Sequence, residues 1–158
     1  MRSSALIAAA AALVACATQQ TDTRLLGAWQ SNAELTLREF EALPEITPEQ
    51  LVLLSDPTLF GHMVQVYGSR QAIVVFDGEC TATPYEVVAR SENSVDIRYY
   101  DSFYEERVTK RILFGDASFS IPAGRAREIF SQVELERITN EHPCIRDHLE
   151  SAGVASAG

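Results

Sequence analysis

Basic side chains are scarce in this chain of 158 residues, with 13 lysines and arginines against 22 aspartates and glutamates and a net charge of −9. No basic stripe is present to displace counterions from phosphates, so nucleic acid is not an expected partner. Histidine occurs three times, cysteine three times and tryptophan once. No glycine-rich phosphate loop and no serine in a Gly-x-Ser-x-Gly elbow is present, which removes two common signatures of phosphate binding and hydrolysis. No internal repeat appears, and the one long apolar run, Ala5 to Ala15, falls well short of the roughly 20 residues that span a bilayer.

What is there begins with that run. Arg2 gives a short basic start, the apolar stretch follows, and it ends at Cys16. These are the proportions of a secretory signal, to be kept out of fold reasoning. Leu13-Val14-Ala15-Cys16 resembles the lipobox of bacterial lipoproteins. The resemblance implies cleavage after residue 15, a diacylglyceryl group on Cys16, and a membrane held as partner through that lipid. Each buried acyl CH₂ contributes about 0.8 kcal/mol, and stable anchoring takes more than one chain. Ala17 follows the cysteine where an aspartate would retain the protein in the inner membrane, so the outer membrane, facing the periplasm, is the implied address.

Removing residues 1–15 leaves 143 residues, enough for one domain with a real core, and takes the net charge to −10 because the removed piece carries only Arg2. Residues 16–24, with the polar run "TQQTDT", have the composition of a flexible tether. With Cys16 lipidated, Cys80 and Cys144 remain as an even pair in an oxidising compartment. A bond between them would close a loop of about 65 residues and contribute roughly 4 kcal/mol through loop-closure entropy.

Along the body of the chain, Leu25 to Ser31 reads as a first strand carrying Trp29. Ser31-Asn32-Ala33-Glu34 has capping-box spacing, Pro44 stops the helix that follows, and Thr47-Pro48 starts a second helix to about Leu54. From His62 the texture changes to short alternating runs at Met63–Tyr67, Ala72–Phe76, Thr81–Ala89, Val95–Tyr100, Glu106–Phe114 and Ser118–Ile121. "GSR", "DGE", "SENS", "DSF" and "GDA" separate them with turn chemistry at hairpin spacing. Arg125 to Phe130 reads as a helical turn, Gln132 to Ile138 as a closing strand, and residues 139–158 as a tail tethered by Cys144. A meander of this kind removes its edges by closing on itself. The expected fold is therefore mainly β: a small antiparallel up-and-down barrel over residues 25–138, with a helical insert after the first strand. Phe76, Tyr85, Ile97, Ile112 and Phe119 are expected to face inward.

Gly27-Ala28-Trp29 resembles the Gly-x-Trp of the first strand in the calycin group, lipocalins and their relatives. The order strand, helical pair, meander is also similar to fatty-acid-binding proteins. The resemblance implies a barrel closed by Trp29 and an arginine lying across it, for which Arg137 is the candidate. The Thr-Asp-Tyr motif of lipocalins is absent, and the insert is long.

Few residues point to chemistry. His142, Cys144 and His148 lie close in "EHPCIRDH" but match no metal-ligand template, and Cys144 has a competing use in the disulfide, so neither metal nor cofactor is expected. "YYDSFYEER" gathers Tyr100, Phe103 and Tyr104 at a hairpin tip, as either a recognition loop or ordinary cross-strand aromatic pairing. Asp101, Glu105 and Glu106 beside them have nothing to position a substrate. The expectation is a non-catalytic, lipid-anchored envelope protein that holds a small apolar ligand in its barrel. The competing reading is an accessory or inhibitory module that binds another envelope protein.

Overall fold

Alternation in the second half of the chain carries the architecture. In the computed structural model, which describes residues 21–102 and 104–154, eight strands form a closed barrel in which every neighbour is antiparallel and consecutive in sequence. The strands are β1 (Gly27–Ser31), β2 (Val64–Tyr67), β3 (Gln71–Phe76), β4 (Glu79–Arg90), β5 (Ser94–Asp101), β6 (Glu106–Gly115), β7 (Ser118–Ala123) and β8 (Ala126–Val133). Closure comes from β8 pairing with β1, with Ala28 opposite Val133 and Ser31 opposite Phe130. Residues 1–15, Cys16 and Phe103 lie outside the described residues.

The insert between β1 and β2 holds α1 (Ala33–Glu41) and α2 (Pro48–Leu54). Thr47 and Gln50 cap α2 reciprocally, with Pro48 at the first helical position, as the sequence predicts. The cap of α1 falls one residue later than predicted: the Asn32 side chain accepts from the Leu35 N–H at 3.0 Å. Ser31 is not free to cap, because its backbone is paired in β1 and its hydroxyl is buried against Glu128.

Two apolar layers share the barrel wall. Inside, Trp29, Val95, Ile97, Ile112, Phe119 and Phe130 are all nearly fully buried. The Phe119 ring sits 4.9 Å from those of both Trp29 and Phe130. Outside β1–β4, a second cluster contains Val64, Val66, Ile73 and Val75 together with Ile138, Ile145 and Ala152. The last three belong to α3 (Leu135–Glu141), a 3₁₀ turn (Pro143–Ile145) and α4 (Arg146–Ala152). All four residues of β2 are buried because both of its faces are covered. The Cys80–Cys144 disulfide, with a Cα separation of 6.0 Å, staples this helical layer to β4. Gly68 lets it approach: a Cβ there would stand 2.1 Å from the Ala152 carbonyl oxygen.

The end of the chain therefore departs from its sequence reading. Arg125 to Phe130 is not a helical turn; residues from Ala126 form the closing strand β8, held on both sides by β7 and β1. Beyond Val133 the chain is helical, so the expected strand over Gln132–Ile138 is split between β8 and α3, and the expected tail packs against the sheet. Arg137 consequently lies on α3, not on a strand across Trp29. Its guanidinium donates to Gln30 Oε1 at 2.8 Å and pairs with Glu141.

The barrel end nearest residue 21 is plugged. Asp22 is buried and accepts both Nε and Nη2 of Arg24, at 3.0 and 2.7 Å. Arg24 also donates to the Glu92 carbonyl and stacks on Phe114. Leu25 is fully buried, and its carbonyl accepts the Trp29 indole N–H at 2.8 Å. The last residues of the expected tether thus belong to the closed end of the barrel.

Candidate functional site

At the other end the interior is hollow. Positions of one phase on β2 to β6 line a cavity of about 260 Å³ that runs from Tyr67 and Tyr85 up to the β5–β6 turn. Ligand pockets usually measure about 300–1,000 Å³, so this cavity suits a small molecule. Its wall mixes apolar groups, among them Met63, Val74 and Ile97, with Gln65, Thr81, Thr83 and Lys110.

Each polar group in the floor has a fixed partner. The Tyr67 hydroxyl donates to Gln65 Oε1 at 2.8 Å, and the Gln65 amide donates to the Met63 thioether at 3.3 Å. Tyr85 donates to the Gly68 carbonyl at 2.8 Å, and its ring meets that of Tyr67 edge to face at 5.5 Å. Burial pushes both phenols up, Tyr85 to about 12 and Tyr67 further, so both are neutral donors at physiological pH. With their protons given to protein acceptors, the two phenols offer a ligand their ring faces and oxygen lone pairs.

Higher in the cavity, the ammonium of Lys110 lies 5.2 Å from the centroid of the Tyr99 ring. Lys110 is directly opposite Ile97 in the β5–β6 ladder, which puts it on the interior phase. Asp101 borders the same space and accepts the Tyr104 N–H at 3.2 Å, tying its carboxylate into its own hairpin turn. Glu128 on β8 accepts the Ser31 hydroxyl at 2.7 Å, and Ser31 in turn accepts the N–H of Gly61 at the end of the insert. Burial raises the Glu128 carboxyl, opposed by the Ser31 hydrogen bond and the charge of Lys110.

A second concavity, about 670 Å³ and largely apolar, lies in the helical insert, lined by Phe40, Leu43, Ile46, Leu53 and Leu54. No residue of α2 is buried, and Val52 and Leu53 are 73% and 71% exposed.

The residues expected from sequence are scattered across the molecule. Tyr100 borders the cavity and is half exposed, and Tyr104 projects from the β5–β6 turn. Tyr85 and Ile97 line the cavity, while Phe119 and Ile112 fill the closed half. Phe76 ends β3 at 58% exposure and fills nothing. Cys80 and Cys144 are bonded on the outer face, away from the cavity, and Trp29 belongs to the closed end. Lys110, Gln65 and Glu128 were not singled out by sequence. Parity gives a signal for the first, since Lys110 shares its phase with Val108 and Ile112. Compared with protein-family models, curated proteins and solved structures, the chain matches none.

Proposed function

We propose that this is a lipid-anchored protein of the bacterial cell envelope, on the periplasmic face of the outer membrane, whose barrel binds a small amphipathic molecule without transforming it. The observation that carries the reading is the hollow. Protein interiors pack closely, with few voids larger than a water molecule, and the closed half of this barrel obeys that rule through Trp29, Phe119 and Phe130. The other half leaves about 260 Å³ walled by tyrosine rings, aliphatic groups and a few polar side chains, Gln65, Thr81, Thr83 and Lys110 among them. A wall of that composition favours a molecule with an apolar body and a polar end over the wholly apolar ligand expected from sequence.

Native mass spectrometry on the exported chain from Ala17 onward, purified without detergent, tests the binding. A reproducible added mass that organic solvent strips away supports it; a bare mass from several preparations counts against it. The anchor rests on Leu13-Val14-Ala15-Cys16. Cys16→Ser should move the protein from the membrane fraction to the soluble periplasm, and a variant that still sediments with membranes removes the localisation.

A protein partner is the second reading, favoured by the exposed apolar side of α2, with the exposed Tyr100 and Tyr104 at the β5–β6 tip as the other candidate surface. Crosslinking in intact envelopes should then capture a reproducible partner through position 52 or 53.

A further inference from the structure

The chain has twelve arginines and a single lysine. Nine of the arginines form ion pairs with carboxylates among the described residues: Arg24, Arg38, Arg90, Arg98, Arg107, Arg111, Arg125, Arg127 and Arg137. The lysine is in none of these pairs. It is half-buried, on the interior face of β6, with the Tyr99 ring beneath its ammonium. Cations are thus used in two ways. Planar guanidinium groups, whose fork matches a carboxylate, tie together the plug and the outer surface. The compact ammonium, a point charge with three donors on a flexible stem, is kept for the cavity.

Glu128 on β8 is near enough to feel the charge of Lys110 but forms no ion pair with it, and its carboxylate is engaged by the Ser31 hydroxyl. A half-buried ammonium with no carboxylate in direct contact is costly to hold, and an anion brought to it recovers part of that cost. Tyr99 offsets some of it, at about 0.5–2 kcal/mol for a cation over a ring. The carboxylate that borders the same space, Asp101, is engaged by the backbone of its own turn. The Lys110 ammonium reaches toward Tyr99, one inward position nearer the β5–β6 turn than Ile97. Tyr67 ends β2 at the opposite end of the barrel, and the Tyr85 hydroxyl reaches the Gly68 carbonyl just beyond it. The cation and the aromatic floor therefore sit at different depths of one cavity.

Resting on the ligand-binding reading above, we infer that Lys110 is the anchor for an anionic end group, and that the ligand is a small organic anion whose apolar or aromatic body points to the Tyr67–Tyr85 floor. The acidic surface of the protein does not attract such an anion, so recognition is local to this one side chain.

The test compares 4-phenylbutanoate with its neutral amide, 4-phenylbutanamide, by titration calorimetry on the mature chain and on Lys110→Gln. The expected result is a preference of about tenfold for the carboxylate, in line with a hydrogen bond to a charged group, that shrinks to near parity in the variant. Trp29 emission from the closed end verifies that the variant is folded. A second readout uses the uniqueness of the lysine: reductive dimethylation of Lys110, followed by peptide mass, should slow in the presence of the carboxylate and not of the amide. Equal binding of acid and amide by the wild-type chain overturns the role of Lys110 and leaves the ligand-binding reading standing. Binding of neither, together with a bare mass in the native spectrum, overturns both.

Discussion

The guanidinium of Arg24 stands over the ring of Phe114, 4.3 Å from its centroid, and the carboxylate of Asp22 holds it there by two hydrogen bonds. The pair seals the end of the barrel opposite the cavity. Arg24 beside it, through hydrogen bonds first and charge after, holds the Asp22 carboxyl below its ordinary value. A depressed carboxyl stabilises the fold fully above its unfolded value, near 3.8, and that contribution is lost as pH falls through the lower folded value. Asp22→Asn should therefore cost about 2 kcal/mol at neutral pH, with the difference from wild type shrinking in acid. Urea midpoints measured from neutral pH down to about pH 2 decide this, and parallel curves for the two proteins would sink it.

Glu128 should behave in the opposite sense. Its carboxyl is raised by burial, so the folded state favours the neutral form. Ionisation then costs stability as pH rises from the unfolded value through the folded one. Glu128→Gln keeps an oxygen for the Ser31 hydroxyl and removes that cost. The variant should have a higher urea midpoint than wild type at neutral pH and an equal one near pH 4 or below, about the unfolded carboxylate range. A lower midpoint at neutral pH would mean that the pull of Lys110 on this carboxylate outweighs its burial.

The disulfide closes a sequence separation of 64 residues. Replacing both Cys80 and Cys144 by alanine should cost about 4 kcal/mol through loop-closure entropy. The loss should appear first as faster amide exchange in Val64, Val66, Ile73 and Val75, which the C-terminal helices cover. The cavity lies on the other face of the sheet, so ligand affinity should stay within a factor of about 2. A collapse of binding with the barrel still folded would contradict the two-layer description.

Gly68 tests the same layer from the other side. A methyl group there would meet the Ala152 carbonyl at 2.1 Å, and backbone must yield. Gly68→Ala should cost about 1–3 kcal/mol, the usual range for overpacking, and loosen α4. Gly78→Ala is the matched control, because nothing lies within 4 Å of a Cβ at that position and only the strain of its φ of +80° remains. Thermal melts that rank the two variants the other way round would show that contact at Gly68 is relieved without cost.

Much of this fold is legible in the sequence because strands and turns alternate in a regular way. Val95, Ile97 and Tyr99 reveal their inward phase, and "GSR" or "DGE" marks a reversal wherever it falls. The last strand was not legible because "AREIF" has good helix formers. Only hydrogen bonds on two sides, to residues as distant as Ser31 and Ser118, make it extended. The C-terminal helices were obscured by shortness: α3 and α4 have seven residues each and gain their stability from a sheet face that local reading does not see. Ile145, Leu149 and Ala152 do repeat at helical spacing, the one local sign of the face that α4 buries. The cavity was the least legible part. Alternation tells which side chains face inward but not whether together they fill the space.

An even number of strands returns a meander to the end from which it started. Here the two ends of the described chain meet on one residue: Thr21 donates its hydroxyl to the Ser69 carbonyl, and the Ser69 N–H reaches the Gly153 carbonyl. Both ends of the described chain sit beside the plug, at the sealed base of the barrel. If the proposed anchor holds the protein by the chain ahead of residue 21, the mouth with Lys110 faces away from the membrane. A probe joined directly to Thr21 or Val154 would sit at the base and leave that mouth clear.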